Sequence, residues 1–172
     1  MTLIVSPLSY VERVVAARGP SHLISLLDPE WMIETPAGIA PERHLKLSVH
    51  DIDAPFSGMI APSATVVEQI LTFAEDWDTR SPMLIHCWAG ISRSTATAFT
   101  LACARDPSAH ETEIALRMRA AAPHAQPNRR IVALADDILG RRGRMLEALD
   151  AMGANDFSTE GAPFDLAPRT LP

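Results

Sequence analysis

Cys87 and Arg93 are separated by five residues, and they stand between an apolar run and a helix-forming stretch in Leu84-Ile-His-Cys-Trp-Ala-Gly-Ile-Ser-Arg-Ser-Thr95. A short loop that leaves a buried strand and ends at a helix N-terminus can turn successive backbone N–H groups inward, and with the helix dipole these form a nest for an anion. Here the nest would be built by Trp88, Ala89, Gly90, Ile91 and Ser92 between Cys87 and Arg93. Gly90 supplies the backbone freedom that so tight a loop requires. The same field favours the thiolate of Cys87, which makes it a nucleophile. Arg93 offers a planar fork that can hold two phosphate oxygens into the transition state, which a lysine cannot do. His86 is expected to brace the loop through hydrogen bonds rather than to act as a base. Ser94 is placed to donate its hydroxyl to the Cys87 sulfur and so ease its departure from a phospho-enzyme.

The elements that must position this loop can be read from periodicity. Leu3-Ile-Val-Ser, His22 to Leu27, His44 to His50 and Met83 to His86 have strand length and character. Helical spacing runs over 8–18, 64–77, 93–105, 111–121, 129–139 and 142–152. The stretch 93–105 is rich in Ala, Thr and Leu and apolar on most sides, which makes it a central helix. Strands alternating with helices and then helices alone predict an α/β fold, a mostly parallel sheet flanked by helices with a helical C-terminal half. The pattern dissolves after Gly153, so the reading is one domain over 1–154 and an irregular tail over 155–172.

Composition narrows the function classes. The 172 residues carry 15 Lys+Arg against 21 Asp+Glu, a formal net charge of −6, so the sustained positive face of a nucleic-acid binder or a polybasic membrane-surface protein is missing. Only Lys46 is a lysine; the other basic residues are arginines, a skew that carries no functional reading. Two cysteines, Cys87 and Cys103, are too few for a secreted disulfide framework, and no stretch has the length of a membrane span. A soluble, cytoplasmic protein is expected, with no nucleic-acid or membrane partner.

His86 to Ser94 resembles the His-Cys-x-x-Gly-x-x-Arg-Ser/Thr motif of the cysteine-dependent protein tyrosine phosphatases, and Ala-Gly-Ile-Ser-Arg-Ser is similar to its dual-specificity branch. The resemblance extends to the order of elements over roughly 3–140. It implies a phosphomonoester hydrolase that works through a cysteinyl phosphate without a cofactor. It further implies a general-acid aspartate upstream of the cysteine, after a strand. Asp51 in Ser48-Val-His-Asp51 occupies that position, and Asp53 is the second candidate. The chain is too short for the long recognition loops of the classical tyrosine-specific enzymes, and Ile91 stands where phosphoinositide-directed relatives commonly carry lysine. Phosphotyrosine proteins or aryl phosphates are therefore the expected substrates.

Other readings of the same residues stay open from sequence alone. The loop could bind phosphate without turnover, and Asp51 and Asp53 could be ordinary loop caps. His44, His50, Asp51 and Asp53 make a poor metal set, because strand neighbours point to opposite faces. Cys103 reads as a core residue in preference to a protective disulfide partner of Cys87, and Trp88 as either a rim platform for an aromatic group or plain packing. Arg129 and Arg130, at a helix start where positive charge opposes the dipole, read as solvated arginines or as cations near a substrate anion, and Arg141, Arg142 and Arg144 as a solvated helix face.

Overall fold

The computed structural model describes residues 2–167. Five strands form one sheet in the order β3-β2-β4-β1-β5: β1 (Leu3–Pro7), β2 (His22–Leu27), β3 (His44–Ser48), β4 (Met83–Cys87) and β5 (Phe164–Leu166). The first four run parallel, and β5 pairs antiparallel with β1, Val5 opposite Phe164. The α/β reading therefore holds, as does its mostly parallel sheet.

Among the described residues six α-helices flank the sheet or pack on those that do: α1 (Val11–Arg18), α2 (Ala64–Glu75), α3 (Arg93–Arg105), α4 (Glu111–Ala121), α5 (Arg129–Ile138) and α6 (Arg144–Met152). Strand alternation sorts the apolar side chains into two layers. Ile4, Leu23 and Leu84 face α1 and meet Val11, Val14 and Val15, whereas Leu3, Val5, Ile24, Leu26, Met83 and Ile85 face the larger core. That core is centred on α3, in which every residue from Arg93 to Cys103 is buried. Fully burying Phe99 alone contributes on the order of 2–3 kcal/mol. No helix among the described residues is long and apolar enough to cross a membrane.

Three expectations are corrected. Residues 164–166, read as irregular tail, form the edge strand β5, with Phe164 and Leu166 buried on one side and Asp165 outward; residues 168–172 of that tail lie outside the described residues. Helix α6 begins at Arg144 rather than 142, because Arg142 (φ 55°) and Gly143 (φ 87°) both adopt left-handed backbone, which a helix cannot include. Arg141 does not belong to the solvated face, on which the exposed Arg142 and Arg144 remain. Arg141 is buried, 3.1 Å from the Glu111 carboxylate, and donates to the Cys103 carbonyl at 2.7 Å, while Arg144 shares Glu111 at 3.2 Å.

Parallel strands gather their carboxyl ends along one edge, where ligand sites in open α/β sheets form. Here β4 delivers Cys87, β2 runs out at Asp28 and β3 leads through Val49 to Asp51.

Candidate active site

The loop after β4 is tied from outside by its carbonyls. Trp88 O accepts from Leu8 N at 3.0 Å, Ala89 O from Gly161 N at 2.8 Å, Ile91 O from Gln126 N at 2.9 Å and Ser92 O from Asn128 N at 3.2 Å. In a trans peptide the N–H points opposite to the carbonyl, so these four bonds aim the N–H groups of Ala89, Gly90, Ser92 and Arg93 into the loop. Gly90 has φ +70°, and a Cβ there would lie 2.6 Å from Pro7 N and 2.8 Å from the Ser6 carbonyl carbon. Glycine is therefore required both for backbone conformation and for the approach of the loop to β1.

Cys87 is 2% exposed, and its Sγ lies 3.1 Å from Ser94 Oγ, the contact that the sequence reading places there. Arg93 is 4% exposed. Its Nη1 donates to Asp28 Oδ1 at 2.6 Å and to Val49 O at 2.5 Å, while its Nε, buried without a hydrogen-bond partner, stands 4.0 Å from Asp51 Oδ2. A buried guanidinium N–H left unpaired is a donor in want of an acceptor.

Asp51 comes to the loop. Its Oδ1 accepts from Ser92 Oγ at 2.6 Å and from Asn128 Nδ2 at 2.9 Å. Asn128 is itself anchored: its Oδ1 caps α5 by accepting from Ile131 N at 3.0 Å. Asp53 lines the same cleft. The four residues weighed as a metal set do not converge, since His44 turns to Ser25 and Thr35 while His50 Nδ1 accepts from Ile60 N.

His86 lies on the α1 side of the sheet in a buried polar row. Its Nε2 is 2.5 Å from Ser25 Oγ, which is 2.7 Å from His44 Nε2, and His44 Nδ1 is 2.9 Å from Thr35 Oγ1. Ser25 has one proton to donate, so at most one of the two imidazoles accepts from it. Burial pushes both down to about 4; the Cys87 backbone partly offsets this at His86, as a contact too loose to count as a hydrogen bond to Nδ1. Cys103 is a free buried thiol in the core, pushed up to about 12 by burial and then by Glu111.

The cleft over the loop has a volume of about 1020 Å³. Trp88, 49% exposed, meets Trp31, 54% exposed, edge to face with ring centroids 5.0 Å apart, and both line it. Arg129 lies on the far rim, paired at 2.7 Å with Asp150. Arg130 is less solvated than its sequence suggests, donating from Nε to Pro62 O at 2.6 Å.

Asp28, Trp31 and Asn128 were not among the sequence candidates. Asn128 was visible as a helix entry before Arg129, but its free carboxamide NH₂ pointed to no partner in sequence. Asp28 reads only as the end of β2.

This architecture is that of the dual-specificity phosphatases. The chain superposes on DUSP15 with a TM-score of 0.64 at 17% identity, over 91% of this chain and 94% of that one. Human DUSP28 matches with 0.58 at 19% identity, over 88% and 95%. PTPMT1, solved in complex with PI(5)P, matches with 0.57 at 16% identity, over 81% and 93%. No sequence-family profile and no curated protein sequence matches the chain.

Proposed function

We propose that this chain is a cysteine-dependent phosphatase that hydrolyses phosphomonoesters in two steps. The observation that carries this reading is the loop 87–93, its carbonyls held outward and its N–H groups turned in around Cys87, with the buried Arg93 Nε unpaired. Such a site complements the charge on the equatorial oxygens of a transferring phosphoryl group.

In the first step Cys87 Sγ attacks phosphorus in line, the S–P bond forms and the P–O bond to the leaving group breaks. Asp51 gives its proton to the departing oxygen. Ser92 and Asn128 both donate to Oδ1, which leaves Oδ2 to carry that proton. In the second step the Asp51 carboxylate takes a proton from water, whose oxygen attacks phosphorus. The S–P bond breaks, inorganic phosphate leaves, and the Ser94 hydroxyl donates to the returning thiolate. All the groups this scheme calls on are side chains and backbone of the chain; it uses no cofactor.

The Trp31–Trp88 pair at the mouth supports aryl phosphates, phosphotyrosyl side chains among them, as substrates, because an aromatic leaving group can pack against the exposed indole surface. Turnover of p-nitrophenyl phosphate and of a phosphotyrosine peptide tests the reading. Wild type should release phenol steadily, resist chelation and be blocked by vanadate, and Cys87→Ser should bind the ester without hydrolysing it. Activity in Cys87→Ser, or loss on chelation with recovery on adding a divalent ion, would overturn the mechanism. Binding without turnover in the wild type would identify a phosphate-binding module instead.

A further inference from the structure

We propose that the segment after α6 is a positioning element of the phosphate loop, and that Gly161 is the residue through which it acts. The proposal rests on the reading of residues 87–93 as an anion cradle. The segment is tied along its length: Asp156 N donates to Pro123 O at 2.8 Å, Glu160 Oε1 accepts from Ser9 Oγ at 2.6 Å, and β5 closes on β1. Between these ties, Gly161 N donates to Ala89 O at 2.8 Å.

That bond falls on the most vulnerable peptide of the loop. The Ala89–Gly90 unit precedes a residue at φ +70°, and glycine can occupy either half of the φ range at little cost. A flip of this unit would turn Ala89 O into the cradle, where a carbonyl dipole repels an anion, and would withdraw the Gly90 N–H. The Gly161 N–H holds the carbonyl outward, so the segment keeps this donor aimed at the phosphoryl oxygens.

Gly161 is seated where a side chain does not fit. A Cβ there would lie 2.5 Å from His124 Nε2, 2.6 Å from His124 Cδ2 and 3.2 Å from Gly90 O. The His124 ring is backed by Phe164 of β5, edge-on with centroids 5.9 Å apart, so it has little room to retreat. Adding one methyl group should lift the segment off the loop, and removing the ring should make room for it.

Vanadate affinity by calorimetry reads the cradle without requiring turnover. Gly161→Ala should lose about tenfold or more in affinity, because a pre-aimed donor is lost. In a His124→Ala background the same substitution should cost less than about threefold, as expected when two side chains compete for one space. Wild-type affinity in Gly161→Ala, or an equal loss in both backgrounds, would overturn the assignment. Hydrogen exchange in the unmodified protein covers the case in which a variant fails to fold. By reciprocity, vanadate should slow exchange over 156–163 as well as over 87–93, and slowing confined to 87–93 would also overturn it. If the wild type binds vanadate but turns over no ester, the enzymatic reading fails while this one stands. If it binds no vanadate, the cradle and the proposal fall together.

Discussion

Asp28 Oδ1 lies 2.6 Å from Arg93 Nη1, so the residue that follows β2 grips the arginine that begins α3. The arginine is buried and the aspartate about one-third exposed. The pair fixes one nitrogen of the fork and leaves Nε without a hydrogen-bond partner, 4.0 Å from Asp51 Oδ2, an orientation the guanidinium would otherwise hold only through Val49 O.

Removing that grip should cost rate more than fold. Asp28→Ala is expected to lower kcat/KM by roughly 10–100-fold, the scale on which misplacing a transition-state contact is felt. Asp28→Asn, which keeps an acceptor oxygen, should lose less. Steady-state kinetics on both variants, with thermal midpoints alongside, checks this; equal rates in Asp28→Ala and wild type would show that Val49 O suffices.

The 3.1 Å contact between Ser94 Oγ and Cys87 Sγ predicts a defect in one step only. Ser94→Ala leaves the thiolate without this donor when it departs from the cysteinyl phosphate, so breakdown should slow by about tenfold or more while formation changes little. Rapid mixing with p-nitrophenyl phosphate should show a larger burst of phenol. A slower first step with an unchanged burst would reject the role.

Strand and helix positions were legible because their apolar spacing is regular, and the loop was legible because its chemistry is contiguous from His86 to Ser94. Asp28 and Asn128 escaped because their partners, Arg93 and Asp51, are brought to them only by the β3-β2-β4 strand order and the docking of α5. Strand β5 escaped for a different reason. Three residues, Phe164-Asp-Leu166, are too few to show a period, and their partner Leu3–Val5 lies at the opposite end of the chain. The polar row behind the loop was half visible: Ser25, His44 and His86 were each assigned to strands, but only the register Ser25↔His86 shows that two of them are neighbours.

That row predicts acid sensitivity. A relay in which Thr35 donates to His44 Nδ1, His44 Nε2 to Ser25, and Ser25 to His86 Nε2 satisfies every contact of the row. It requires both imidazoles neutral. Their pKa values are depressed in the fold to about 4, so the unfolded chain takes up protons first as pH falls through about 6.5. Stability should therefore be complete above that pH and decline toward pH 4, by at most about 3 kcal/mol for either histidine taken alone. The total falls short of the sum, since both share Ser25. Urea midpoints across this range should slope less for His44→Gln than for wild type; parallel slopes would remove His44 from the account.

Asp51 and Asp53 differ in what holds them. Both line the cleft, but Asp51 is held by Ser92 and Asn128 beside Arg93 Nε. A general acid matters in proportion to how poor the leaving group is, so Asp51→Asn should cost about 10²–10³-fold with alkyl phosphates and little with activated phenols. Asn128 holds Asp51 by a hydrogen bond and so should act on the same step through it. Asn128→Ala should steepen the dependence of rate on leaving-group pKa in the same sense but less, and the effect should vanish in an Asp51→Asn background, because the bond it removes is then no longer one to an acid. A series of phosphate esters spanning leaving-group pKa, run on Asp51→Asn, Asp53→Asn, Asn128→Ala and the Asp51/Asn128 double variant, decides it. Steepening in Asp53→Asn alone would move the acid to Asp53, and additive losses in the double variant would mean that Asn128 serves only as the cap of α5.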